Sequence, residues 1–122
     1  VPNVQSVGYG CFYKCDALES VHFSESDANP ADTYKVGDRA FFGCPSLADV
    51  VLPKCTTEIG ALSFAHCTAL KSMTIPENVS AIGVNAFLGC LSLEKLFFTG
   101  SVPDGFPWGA PNTLEIILPE SD

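Results

Sequence analysis

Basic side chains are scarce in this chain of 122 residues: six Lys and Arg stand against fourteen Asp and Glu, a formal net charge of −8. Such a surface repels phosphate backbones and anionic lipid headgroups alike, so nucleic acid is not an expected partner. Long apolar runs are missing too. Stretches such as "VVL" and "EIIL" fall far short of the roughly 20 residues that a membrane span needs. The opening "VPNVQSVG" has no basic segment leading into an apolar core, so no signal peptide is expected in it. Metal-ligand spacing is absent as well. The six cysteines include no C-x₂-C pair and the two histidines stand apart, which leaves no tetrahedral set for zinc and no expected cofactor.

Apolar residues and repetition are what the chain has in quantity. A hydrophobic share of 47% suffices for one continuous core, and the length fits a single domain over 1–122. Phe12, Phe41, Phe64 and Phe87 are separated by 29, 23 and 23 residues, and Leu18, Leu47, Leu70 and Leu93 repeat those gaps. Four lines therefore share one register: "VGYGCFYKCDALESVHF", "VGDRAFFGCPSLADVVL", "IGALSFAHCTALKSMTI" and "IGVNAFLGCLSLEKLFF". Each reads [VI]GxxxFxxCxxLxx[VML]x[FLI], and a period in this range with this apolar spacing marks a solenoid. The units fall near 7–35, 36–58, 59–81 and 82–104, followed by a degenerate last coil over 105–122. The first interval is longer because "SESDANPADTYK" is inserted, which is expected to form an acidic surface loop.

The LxxVxF half alternates as a strand does, with Leu47, Val50 and Leu52 inward and Asp49 and Val51 outward. Pro53 and Pro76 end the strands, because proline cannot donate to a ladder. Gly8, Gly37, Gly60 and Gly83 mark a recurring bend. The FxxC step has room for one short helical or 3₁₀ turn. Ordering about 23 residues at about 1.5 kcal/mol each outweighs the ~2 to 3 kcal/mol returned by each of a coil's few buried side chains, so a coil needs its neighbours.

This pattern, with IGxxAF at Ile82 to Phe87, Cys90, Leu93 and the IP step at Ile75 and Pro76, resembles the BspA-like class of leucine-rich repeats, over about Val4 to Phe98. The resemblance implies a right-handed repeat solenoid with a parallel β-sheet on the concave face and short 3₁₀ or helical turns on the other side. It also implies a protein-interaction module, of the kind found at cell surfaces or secreted. Ser63 and Cys11 depart from the family's alanine.

Cys15, Cys44, Cys67 and Cys90 share one column and are expected to stack inward as small apolar thiols. Parallel Cβ vectors hold neighbouring thiols too far apart for disulfides. Cys11 and Cys55 have no evident partner, and Cys55 is the expected exposed thiol. Free thiols point away from the surface reading, toward an intracellular or organellar assembly. The chain also opens inside a repeat with no capping sequence, so either the array continues or a partner covers that edge.

His22, Asp49 and Ser72 supply the residue types of a hydrolase triad, but on three successive strands of an open sheet with no oxyanion donors, so no catalytic residue is expected. His66 is read as a solvated or capping histidine. Glu25, Asp27 and Asp32 are read as a solvated loop, since they lack the glycine and terminal glutamate of a calcium loop. Asn78, Val79 and Ser80 form a glycosylation sequon that matters only in a eukaryotic secretory pathway.

The column between the second and third inward strand positions is the candidate site. His22, Val51, Thr74, Phe97 and Ile117 should point outward on the concave face, with Asp49 and Lys95 as polar rim. Several are apolar where polar residues are usual, and contiguous exposed apolar surface marks an interface. Two readings stay open: a protein partner binds the stripe, or the segment "SVPDGFPWGAP", with Phe106 and Trp108 as candidate contacts, folds back over it. The partner is then either a recognition target or the rest of a larger, membrane-associated assembly that holds this chain as a structural subunit.

Overall fold

The structure, a computed structural model, describes residues 6–7, 10, 12–22, 34–105, 108–111 and 113–119. Nine short strands run in chain order: β1 (Ser6–Val7), β2 (Ser20–His22), β3 (Tyr34–Val36), β4 (Asp49–Val51), β5 (Thr56–Ile59), β6 (Ser72–Ile75), β7 (Ala81–Ile82), β8 (Lys95–Phe98) and β9 (Glu115–Ile117). All pairings are parallel. The even-numbered strands and β9 come from the LxxVxF half of each repeat and form two adjoining pieces, β2-β4 and β6-β8-β9. This is a parallel β-solenoid of about four turns, as a leucine-rich-repeat coil requires.

A second sheet, β1-β3-β5-β7, passes through the [VI]G positions, where only a bend was expected. Only β3 alternates, with Tyr34 and Val36 buried around exposed Lys35; in β5 the buried residues Thr56 and Ile59 are three apart. Tyr34 and Lys35 therefore belong to a strand, and not to the acidic loop expected of their segment. The rest of that loop, with Glu25, Asp27 and Asp32, lies outside the described residues.

The third wall, FxxC, contains no helix among the described residues. Two left-handed residues per coil break it into tight turns: Arg39, Leu62 and Asn85 before the AF step, then Lys14, Gly43, His66 and Gly89 before the column cysteine. For a non-glycine residue that conformation costs about 1 to 2 kcal/mol. It is maintained because it aims alternate amides at the next coil. Phe12 N–H donates to Ala40 O at 2.7 Å, Phe41 to Ser63 at 2.8 Å and Phe64 to Ala86 at 2.9 Å, with matching bonds from Arg39 to Ala61 and from Gly43 to Ala65. The turn wall is thus cross-linked between coils just as the sheets are.

Inside, the phenylalanines form one stack. Ring centroids are 5.1 Å apart from Phe12 to Phe41, 5.2 Å to Phe64 and 5.8 Å to Phe87, with planes within 9° of parallel. Leu47, Leu70, Leu93 and Leu96 complete the core with Val50, Met73 and Ile75. One glycine in this packing has a steric and not a conformational reason. A Cβ on Gly83 would lie 2.3 Å from Ala61 N and 2.6 Å from its Cα, because adjacent coils touch backbone to backbone there. Ser63, in the alanine column beside Ala40 and Ala86, is fully buried, and its hydroxyl has no hydrogen-bond partner.

Two substitutions test this packing in opposite directions. Gly83→Ala should lower stability by about 1 to 3 kcal/mol through backbone overlap. Ser63→Ala should raise it by about 1 kcal/mol, by removing an unsatisfied buried hydroxyl. Urea midpoints at unchanged slope measure both, and stabilisation by Gly83→Ala would contradict the coil contact.

Candidate binding face

On the LxxVxF sheet, Val50, Met73 and Leu96 point inward and their neighbours outward. Strand register aligns His22 with Val51, and Thr74 with Phe97 and then Ile117. The outward column therefore exists as a spatial row, in two stretches on the two sheet pieces. Val51 is 45% exposed and Phe97 37%, while Ile117 is half-buried and Thr74 exposed. Two residues earlier on each strand, on the same outward face, stands a polar row that includes exposed Asp49, Ser72, Lys95 and Glu115.

His22 Nε2 and Asp49 Oδ2 are 2.6 Å apart, bridging neighbouring strands. Both side chains are more than half exposed, so the pair is worth no more than about 1 kcal/mol. Ser72 makes no hydrogen bond to either, and a Ser-His-Asp relay is not assembled. Among the described residues no group of three or more His, Cys, Asp or Glu side chains is placed to hold a metal ion. No helix there is long and apolar enough to cross a membrane.

Trp108 corrects an expectation. It is 2% exposed, with its ring 6.5 Å from Phe87 and 5.9 Å from Phe98. Its carbonyl accepts the Phe87 N–H at 3.0 Å, the position Ala86 fills for Phe64, and its indole N–H donates to Asp104 O at 3.0 Å. Phe98 is the inward residue next to Phe97 on β8, so Trp108 lies inside the coil, on the opposite side of the strand from Phe97. It closes the phenylalanine stack edge-on, and is a core residue where a surface contact was expected. Phe106 lies outside the described residues.

The cysteine column does more than pack. Cys44 Sγ–H donates to Phe12 O at 3.1 Å, Cys67 to Phe41 O at 3.2 Å and Cys90 to Phe64 O at 2.9 Å. Each thiol thus gives a weak hydrogen bond to the previous coil's phenylalanine carbonyl, which an alanine would leave without it. Cys15, Cys44, Cys55, Cys67 and Cys90 are free; Cys15 and Cys55 are half-buried and the other three fully buried. Cys11 lies outside the described residues. Burial pushes the Cys44 thiol above its usual range and Cys67 far above it, with the neighbouring Cys90 adding to the effect. Burial also raises Cys90 from 9.0 to about 12.

The repeat chemistry matches a known family model, the BspA type leucine-rich repeat region, in six copies over residues 1–104. The chain belongs to the BspA-type leucine-rich repeat family. This BspA-type chain is also similar to a leucine-rich repeat protein from Bacteroides ovatus, with a TM-score of 0.78 at 28% identity over 95% of the chain and 28% of that protein. It is similar as well to a leucine rich cell surface protein from Faecalibacterium prausnitzii, with a TM-score of 0.76 at 30% identity over 99% of the chain and 31% of that protein. The chain therefore spans less than a third of either relative. A leucine-rich repeat protein of T. pallidum shares the fold, with a TM-score of 0.56 at 21% identity over 91% of the chain and 73% of that protein. No curated protein matches the chain significantly.

The buried thiols set a pH limit. Unfolded, Cys90 titrates at 9.0; folded, at about 12. Between those values the unfolded chain binds fewer protons, so the contribution is intact below pH 9.0 and is lost as pH rises toward about 12. The melting temperature of Cys90→Ala should fall less steeply than wild type across that window, and equal slopes would count against a buried thiol. In native protein a maleimide should modify Cys15 and Cys55 before Cys44, Cys67 and Cys90.

Proposed function

We propose that this chain is a non-catalytic protein-interaction module that recognises a protein partner with the outward row Val51, Thr74, Phe97 and Ile117, flanked by His22, Asp49 and Lys95. The observation that carries this reading is the exposure of Val51 at 45% and Phe97 at 37% on the two parallel sheet pieces, where a solvated face would carry polar side chains. An aromatic near the centre of such a row is the usual anchor of an interface. The name of the F. prausnitzii relative, a leucine rich cell surface protein, supports surface recognition as the setting.

A second observation favours packing into a larger assembly. On the turn side Val84 is 70% exposed, Leu88 37% and Leu91 79%, and Tyr13 stacks on Phe42 at 5.2 Å. Those side chains are an outer apolar surface that a structural subunit would cover.

Affinity purification with mass spectrometry identifies a partner, after which its Kd for purified variants separates the two readings. Phe97→Ala should weaken binding about thirtyfold, equivalent to about 2 kcal/mol, with an unchanged melting temperature because Phe97 lies outside the core. Binding that survives Phe97→Ala and is lost in Leu91→Ser would assign the interface to the turn side.

A further inference from the structure

The LxxVxF sheet is interrupted at one place: β4 pairs only with β2, and β6 only with β8. A backbone bond that repeats as Ala48→Glu19 and Glu94→Lys71 has no counterpart from Lys71 to Ala48. The two strands flank an open cleft of about 610 Å³, whose lining includes Asp49, Val51, Lys54, Ser72, Thr74 and Glu77. That volume lies within the ~300 to 1,000 Å³ of small-ligand sites.

The lining mixes donors and acceptors. Asp49 and Glu77 accept, Lys54 donates, and the hydroxyls of Ser72 and Thr74 do both. The side chains of Ser72, Thr74 and Glu77 make no hydrogen bond within the described protein. Asp49 is steadied through Oδ2 by His22, leaving its other oxygen uncommitted. Thr99, also in the lining, donates to Ile75 O at 3.2 Å and keeps its acceptor lone pairs. Val51 and Pro76 supply apolar walls.

A simple cation would meet Lys54, a simple anion would meet two carboxylates, and an apolar ligand would strand every polar group. A neutral polyhydroxylated ligand meets none of these objections, since each hydroxyl donates and accepts at once while its C–H faces lie on Val51 and Pro76. We infer that the seam between β4 and β6 is a saccharide-binding subsite that takes a neutral mono- or disaccharide unit. It goes beyond the protein-binding role: the cleft shares Asp49, Val51 and Thr74 with the proposed row but does not include Phe97.

The test is an amide NMR titration of the whole chain with lactose, maltose and N,N′-diacetylchitobiose. Saturable shifts at Ser72, Thr74 and Thr99 with at least one of them, and an affinity at least tenfold weaker in the Asp49→Asn/Glu77→Gln variant, are expected. Phe97→Ala should leave the saccharide affinity within twofold, because Phe97 is not in the cleft lining even though Asp49, Val51 and Thr74 belong to both surfaces. Both variants change exposed side chains, and an otherwise superimposable spectrum shows that they fold. Ser72→Val, which removes one hydroxyl without touching charge, should also weaken binding. No saturable shift with any of the three sugars would overturn the assignment, as would equal affinity in the double variant. Shifts at the same amides produced by Nα-acetyl-arginine amide alone would reassign the cleft to a cationic side chain and overturn it too.

Discussion

Direct backbone contact between successive coils is the constraint from which the rest of this structure follows. Both sheets and the turn wall hydrogen-bond from one coil to the next, so among the described residues the strand ladders and many of the turn amides are satisfied by residues about one repeat away. That contact leaves no room for a Cβ on Gly83 and keeps the AF column small at Ala40, Ser63 and Ala86. It also brings the phenylalanine rings to within 5.1 to 5.8 Å of one another in near-parallel planes. A parallel ring stack has slight electrostatic appeal by itself; the backbone imposes it, and burial of four aromatic faces offsets the geometry.

The same constraint divides the side chains. Inward positions answer to their neighbours above and below, which is why the column cysteines can hydrogen-bond to carbonyls of the preceding coil. Outward positions answer only to solvent or to a partner. Variation among them, from His22 through Val51 and Thr74 to Phe97, is therefore free of the fold and available to recognition. Where the ladder lapses between β4 and β6, the row residues Val51 and Thr74 also line a cleft together with Asp49, Ser72 and Glu77.

Strain is distributed in the same way. Left-handed backbone at Arg39, Leu62 and Asn85 would be a liability in an isolated turn, yet each coil repeats it because it directs amides along the solenoid axis. Beyond Phe87, Trp108 occupies the place of a small residue and turns its ring edge-on to Phe87, so the parallel ring geometry is not continued there.

Periodicity determined much of this protein before any coordinates. The recurrence of Phe, Cys and Leu at one spacing specified a solenoid, and alternation about Val50, Met73 and Leu96 specified which strand residues face out, because a strand's side-chain period is two and burial allows one register. The outward row from His22 to Ile117 was legible for that reason. The second sheet was not, since β1 and β7 are only two residues long and carry no pattern of their own. A short helical or 3₁₀ turn was expected because FxxC fits that spacing as well; the described residues contain no helix there, and left-handed residues, hinted at by Gly43 and Gly89, break each turn. Trp108 looked like a surface aromatic in a proline-rich segment, and its burial depends on meeting Phe87 and Phe98, a long-range contact that local sequence does not encode. The β4–β6 cleft and the His22–Asp49 pair belong to the tertiary structure for the same reason: both arise between coils, from small differences in how neighbouring backbones seat, and not within any single repeat.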